Sequence, residues 1–309
     1  MKAANFEHHE PETIEEAVSL LESLDEPTIL AGGQSLIPML RFRLARPDTV
    51  IDLNGLTELE YIREDDGHLK IGALARHVDV EESAIIDRNY GSFADAAPLI
   101  ADPQIRNQGT VAGSIAQSDP KGDWGTVLLA HDGEVVAQGP DGERTIPAKD
   151  FFLLPYDNML GEDELITEIR VPESGSNEGS AYHKLKRKVG DYAMAGSAAR
   201  VRLDGGVIED ADVALTAVDI TNIAVDEAAE ELEGERPSAD LFREAGKIAA
   251  EQSNPESDEH GSAAYKRNMV RVLTQRALAD ATERATQDGP AADFGTDQLT
   301  PEGMAAEGD

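Results

Sequence analysis

Cysteine is absent from all 309 residues. That absence removes disulfides, thiolate-ligated zinc and any cysteine-held iron–sulfur cluster from this chain. Long apolar runs are missing as well: nothing approaches the roughly eighteen residues that a membrane-spanning helix requires. The opening MKAANFEHHEPETIEEA is polar and lacks a signal-peptide core, so a cytoplasmic protein is expected. Positive charge is scarce. There are 27 Lys and Arg (only 9 of them Lys) against 61 Asp and Glu, a formal net charge of -34. No basic footprint exists for a nucleic-acid backbone, which excludes that class of partner.

The acids are spread through the chain (SLDEP, REDDG, DEAAEELEGE, NPESDEHG) and not gathered at one place. A charge of this size opposes compaction by self-repulsion, and salt screens it, with a Debye length of about 3 Å at 1 M. The pattern is that of a halophilic surface. The seven histidines (His8, His9, His68, His77, His131, His183, His260) show no metal-ligand spacing and read as surface or capping residues.

Periodicity and turn residues give three units and a tail. Residues 1–57 read as a small α/β unit: an amphipathic helix over 11–24, a short buried strand over Pro27–Leu30, a glycine loop, a helix over 35–45 and a strand over Thr49–Leu53. Residues 58–172 read as a second α+β unit. Its strands are Tyr61–Arg63, Leu69–Ile71, Glu134–Ala137, Arg144–Ile146 and Leu165–Val171; its helical stretches are Val80–Ser83, Phe93–Ile100 and Trp124–Ala130. Residues 173–179 have linker composition. Residues 178–285 form a third α+β unit, with strands at Tyr182–Lys188, Ala195–Leu203 and Ala211–Ala217, then helices at Ala224–Leu232, Ala239–Gln252 and Ala263–Arg284. The tail over 286–309 is acidic and Gly/Pro-rich, the composition of a disordered segment.

Two glycine loops stand out. Ala31-Gly32-Gly33-Gln34-Ser35 reads as lying between a strand and a helix, and so does Gly109-Thr110-Val111-Ala112-Gly113-Ser114. Glycine lets a backbone approach a ligand closely, and successive N–H groups at such a turn make an anion nest, to which Ser35, Thr110 and Ser114 would add hydroxyls. Neither loop matches a dinucleotide or P-loop signature. On spacing alone, a phosphate cradle and a pair of tight turns both remain open. The dense basic cluster Lys184, Lys186, Arg187, Lys188 is out of character in so acidic a chain, and a solvated face is the usual reading of such a run.

Three strings, AGGQSLIPMLRFRLARPDTVIDLN, ADPQIRNQGTVAGSIAQSDPKGD and YHKLKRKVGDYA, resemble in order the FAD-binding medium subunit of the carbon monoxide dehydrogenase and xanthine dehydrogenase family. The resemblance runs from about residue 1 to 284. It implies an α+β fold: a two-part FAD-binding region of the vanillyl-alcohol oxidase-like (PCMH) type plus a C-terminal α+β domain with a small antiparallel sheet and helices. It implies non-covalent FAD, its diphosphate clasped by residues 31–35 and 110–114. Two departures stand in those loops: Gln34 where the family has His, and Ala112 where it has Gly. By the same resemblance Asp123 binds the adenosine end, Ile100, Ala101 and Leu160 line the flavin site, Lys184 lies near it, and Tyr192 lies against the isoalloxazine. The alternative for Tyr192 is a partly buried core tyrosine at a strand end, and the flavin role is favoured over it.

The implied partners are a large molybdopterin subunit and a small subunit with two [2Fe–2S] clusters, in a dimer of heterotrimers. The missing cysteines agree with clusters held elsewhere. The implied role is electron transfer from those clusters to an external acceptor. A free-standing flavin oxidoreductase of the same fold and a non-catalytic nucleotide-binding module are the alternatives. Charge repulsion sets one expectation independent of any ligand: the chain unfolds at a lower temperature in dilute buffer than in molar KCl. Thermal unfolding across a salt series measures it, and a melting temperature indifferent to salt would contradict it.

Overall fold

In the computed structural model the described residues are 2–286, so most of the tail called at 286–309 lies outside them. The first unit holds β1 (Glu7–His9), α1 (Ile14–Ser23), β2 (Thr28–Leu30), α2 (Leu36–Phe42) and β3 (Thr49–Asp52). Its sheet has the order β1-β3-β2 and is parallel throughout. Thr13 caps α1 by accepting from Glu16 N–H, and Ala17, Val18 and Leu21 are buried on one face of that helix. Strand β1 was missed, being three polar residues that pair only at the sheet edge. Strand β2 is half-buried where the sequence suggested burial, because Thr28, Ile29 and Leu30 line an open cleft. The helix expected over 35–45 stops at Phe42: Arg43 turns left-handed (φ 59°) and the Leu44 and Ala45 N–H groups both bond back to Met39 O.

The second unit runs through β4 (Ile62–Asp65), β5 (His68–Gly72), α3 (His77–Glu81), α4 (Ala84–Asn89), α5 (Gly91–Ala96), α6 (Pro103–Arg106), α7 (Val111–Gln117), α8 (Asp123–Leu129), β6 (Glu134–Gly139), β7 (Gly142–Pro147), α9 (Ala148–Phe151), β8 (Phe152–Leu154), β9 (Asp157–Asn158) and β10 (Leu165–Pro172). Five strands form an antiparallel sheet in the order β4-β5-β10-β6-β7, with the return strand β10 at its centre. Leu69, Ile71, Val135, Ala137, Ile169 and Val171 bury one continuous core that also takes in α1 and β3 of the first unit. Ser83, read as the end of a helix, instead caps α4 by accepting from Ile86 N–H.

The second glycine loop is preceded by a helix, not a strand. Asp102 accepts from Gln104 and Ile105 N–H with Pro103 at the first helical position, so the Asp-Pro pair starts the single turn α6. Thr110 then caps α7 by accepting from Gly113 N–H at 3.1 Å. Val111, Ala112 and Gly113 are therefore the first turn of a helix, and no residue there needs a positive φ. A Cβ at Ala112 is accommodated. His77 and His131, read as surface or capping residues, are 5% and 2% exposed; the Trp124 indole that bonds His77 and the Ser92 hydroxyl that bonds His131 explain how imidazoles sit inside.

The third unit holds β11 (Glu178–Leu185), β12 (Ala195–Asp204), β13 (Val207–Thr216), β14 (Ile223–Ala224), α10 (Asp226–Glu230), α11 (Ala239–Gln252) and α12 (Ala263–Ala285). The four strands are antiparallel in that order. Helix α12 lies between the sheet and α11, so it is apolar on both sides and rich in Ala. The strand expected over Tyr182–Lys188 ends at Leu185, which leaves Lys186–Lys188 in a loop. Arg284 ties this unit to the second: its two Nη atoms grip the Asp95 carboxylate at 2.7 and 2.8 Å, and Nη1 also donates to Ser180 O at 2.6 Å. Removing one member leaves partly buried groups unbonded, so Arg284→Ala is expected to lose about 1–3 kcal/mol in urea unfolding. A loss below a few tenths would show the tether idle.

Candidate functional site: a cleft between two glycine loops

A cleft of about 590 Å³ runs across the junction of all three units, within the size range of small-molecule and cofactor sites. Its centre is a backbone contact. A Cβ added to Gly32 would come within 2.6 Å of Gly109 Cα and 2.9 Å of Thr110 N, so the two loops touch only because position 32 has no side chain. Gly33 takes φ +71°, open to glycine at little cost. The N–H groups of Gly32, Gly33, Gln34 and Ser35 form no hydrogen bond within the described residues, and neither do those of Thr110 and Ala112. The Ser35 and Ser114 hydroxyls line the same cleft. Unpaired donors in a concave site call for an acceptor from outside.

Residues not singled out in the sequence hold the loops together. Asn54 Nδ2 donates to Ala31 O at 2.8 Å, Arg76 Nη2 donates to Asn54 Oδ1 at 2.8 Å, and Arg76 Nη1 donates to Gln108 O at 2.5 Å. One arginine and one amide thus bridge the first loop to the second. Their types are unremarkable in sequence; only the fold brings positions 31, 54, 76 and 108 together.

Of the sixteen expected site residues, Ala31, Gly32, Gly33, Gln34, Ser35, Ile100, Ala101, Thr110, Ala112, Gly113, Ser114, Asp123, Leu160, Lys184 and Tyr192 line this cleft. Val111 does not: its side chain is 1% exposed in the core and its N–H donates to Ala75 O at 3.1 Å. Gln34 is exposed, with Nε2 on Gly32 O at 3.2 Å, so the amide braces its own loop. Asp123, 5% exposed at the start of α8, accepts from Tyr182 Oη at 2.5 Å and from Lys184 Nζ at 2.8 Å. Burial and that carboxylate push the Tyr182 phenol well above its ordinary pKa, keeping it a donor. The Lys184 side chain is 1% exposed, far from a solvated face, whereas Arg187 and Lys188 are exposed beside Asp191.

The segment Leu99–Ala101 is held by cations. Lys184 Nζ and Lys186 Nζ donate to Leu99 O at 3.3 and 3.1 Å, and Arg106 Nη1 donates to Ile100 O at 3.0 Å. Ala101 stands at φ +43°, an uncommon place for a residue with a Cβ, and Gly190 (φ +88°) passes beside it. Burial and the Lys184 charge lower the Lys186 pKa. Tyr192 sits on the lip, 59% exposed.

Residues 4–174 match the FAD binding domain in molybdopterin dehydrogenase, and residues 180–281 match the CO dehydrogenase flavoprotein C-terminal domain. The chain belongs to the FAD-binding medium subunits of the carbon monoxide dehydrogenase and xanthine dehydrogenase family. It is 40% identical over 280 residues to the carbon monoxide dehydrogenase medium chain of Hydrogenophaga pseudoflava, covering 90% of this chain and 98% of that one. It is 35% identical to the glyceraldehyde dehydrogenase medium chain of Sulfolobus acidocaldarius, over 91% and 99% of the two chains. The solved Hydrogenophaga pseudoflava carbon monoxide dehydrogenase superposes with a TM-score of 0.89 over 92% of this chain and 99% of that one.

As in other medium subunits, the redox group is FAD, and the molybdenum and iron–sulfur cofactors sit on other subunits. The residues present fit FAD: the bare backbone at Gly32 and Gly109, the row of unpaired N–H groups and the mixed walls of the cleft suit a dinucleotide. Gly32→Ala should force the loops apart and lower FAD occupancy at least tenfold, a value set by the loss of one or more hydrogen bonds to a charged group. Flavin absorbance per chain after gel filtration measures it; full occupancy in a folded Gly32→Ala protein would contradict the reading.

Proposed function

We propose that this chain is the electron-transfer subunit of a molybdenum hydroxylase complex, taking electrons from [2Fe–2S] clusters on a small partner subunit and passing them to an external acceptor. The supporting observation is the cleft whose two loops present six unpaired N–H groups beside a glycine–glycine contact. FAD supplies reversible electron storage when bound, and the protein supplies binding and orientation. In this reading Gly32–Ser35 and Thr110–Ser114 hold the diphosphate, and Ile100, Ala101 and Leu160 border the flavin. Tyr192 covers one ring face, gaining dispersion and limiting solvent there.

Asp123, fixed by Tyr182 and Lys184, has oxygen lone pairs left over for adenosine hydroxyls or an amine. Val111 supports α7 from the core and touches nothing bound. The division at 1–57, 58–172 and 178–285 makes the first two units jaws of one FAD-binding region, which agrees with their shared core. The large partner carries molybdopterin and the substrate site, the assembly is a dimer of heterotrimers, and it resides in the cytoplasm.

No cysteine exists to link the flavin, and none of the seven histidines lies in either loop, so attachment is non-covalent. The purified chain should be yellow with one FAD, and acid precipitation should leave a white pellet under a yellow supernatant. Affinity purification from the native host should bring down two further chains, one carrying iron and sulfide. A colourless protein that takes up no added FAD would defeat the assignment, as would a yellow chain recovered alone with its own substrate turnover.

A further inference from the structure

One buried polar side chain lines the cleft with a ring nitrogen that bonds nothing among the described residues. His77 opens α3, is 5% exposed and lines the cleft. The Trp124 indole Nε1–H donates to its Nδ1 at 3.0 Å. An indole N–H can only donate. Nδ1 is therefore the bare nitrogen, and the hydrogen of the neutral ring is on Nε2. Trp124 cannot easily turn away, because Phe93 stacks on it with ring centroids 5.7 Å apart.

Nε2 has no hydrogen-bond partner among the described residues, yet it lies at the second loop: a Cβ on Gly109 would come within 2.7 Å of it. Gly109 is also the residue that meets Gly32, so this nitrogen sits at the junction of the two loops. Burial, helped by the nearby Arg106 and Arg76 charges, lowers the ring's pKa to about 4, so it stays neutral at physiological pH. Nε2 is not shut away from the cleft, so its N–H can reach an acceptor that a ligand brings there.

We propose that His77 is a further FAD-binding residue whose Nε2–H donates to the FAD diphosphate where the two glycine loops meet. The inference rests on the FAD reading above and adds an imidazole donor, locked in one tautomer, to a cradle of backbone N–H groups and hydroxyls. It assigns Trp124 a positioning role: its N–H decides which imidazole nitrogen carries the hydrogen.

The test uses the full chain stripped of flavin and titrated with FAD, ADP and riboflavin, following flavin fluorescence or heat. His77→Phe keeps a ring but no donor, and should weaken FAD and ADP alike by about tenfold or more. His77→Gln keeps an N–H near the same place and should recover much of the loss. Riboflavin, which has no phosphate, should bind all three proteins equally. Nitrogen-15 NMR of the wild type reads the tautomer directly, and ADP should shift the Nε2–H signal even where a variant fails to fold.

Unchanged FAD and ADP affinity in both variants, or a hydrogen found on Nδ1, would overturn the proposal. A loss of riboflavin binding equal to that of FAD would overturn the diphosphate assignment by moving the donor to the flavin end. Wild-type protein that binds neither FAD nor ADP would instead remove the FAD reading itself.

Discussion

The approach of Gly32 to Gly109 is the constraint on which the site depends. Two loops from different units can present their N–H groups to one ligand only if their backbones come within contact distance, and a single methyl group at position 32 would prevent it. Such closeness does not hold itself. The Asn54–Arg76 bridge fastens the carbonyl of Ala31 to that of Gln108, while the shared core under α1, β3 and the five-stranded sheet keeps the two units from sliding. The N–H groups of Gly32, Gly33, Gln34, Ser35, Thr110 and Ala112 are left without a partner among the described residues, in loops that line the cleft.

The C-terminal unit acts on the same cleft from the other side. Strand β11 brings Tyr182 and Lys184 to one carboxylate, and Lys184 with Lys186 reaches back to Leu99 O. A buried ion pair of this kind contributes little net stability once desolvation is counted. Its value lies in position. Asp123 is held rigidly at the start of α8, and the Leu99–Ala101 turn is kept in a conformation that Ala101 would otherwise leave. The cationic string that looked foreign in an acidic chain is thus split by the end of β11. Its first lysine is structural, and its last two charges remain in water.

Much of this was legible in the sequence. Runs of apolar and β-branched residues bounded by turn residues marked every strand of the five-stranded sheet, and length without Gly or Pro breaks marked α11 and α12, although β10 and α12 are buried on both sides and show no single period. The loops were legible as glycine clusters flanked by hydroxyls. Their setting was less so. The turn α6 is too short for any periodicity, and only its Asp-Pro start announces it. Val111 was grouped with its neighbours since a motif is contiguous in sequence, whereas a helix sends its first three side chains in different directions. Arg76 and Asn54 escaped notice, and His77 was read as a surface or capping histidine, because each is ordinary alone. Their meaning comes from contacts across 22 to 47 positions, which no local pattern encodes.

A diphosphate brings negative charge to a protein whose formal charge is already -34. Lysines clustered around it would be the direct answer, yet the one fully buried lysine in the cleft is already neutralised by Asp123. In the proposed reading the diphosphate is met instead by donors that carry no net charge: backbone N–H groups, hydroxyls and an imidazole kept neutral by its surroundings. Such donors act at hydrogen-bond range in a partly desolvated cleft, where salt screens little. The surface acids act over longer distances through water, where the Debye length is about 8 Å at physiological ionic strength and about 3 Å at 1 M. The two sets of forces are therefore separable: on the proposed reading, surface charge as high as -34 does not weaken hydrogen bonds made at contact range inside the cleft.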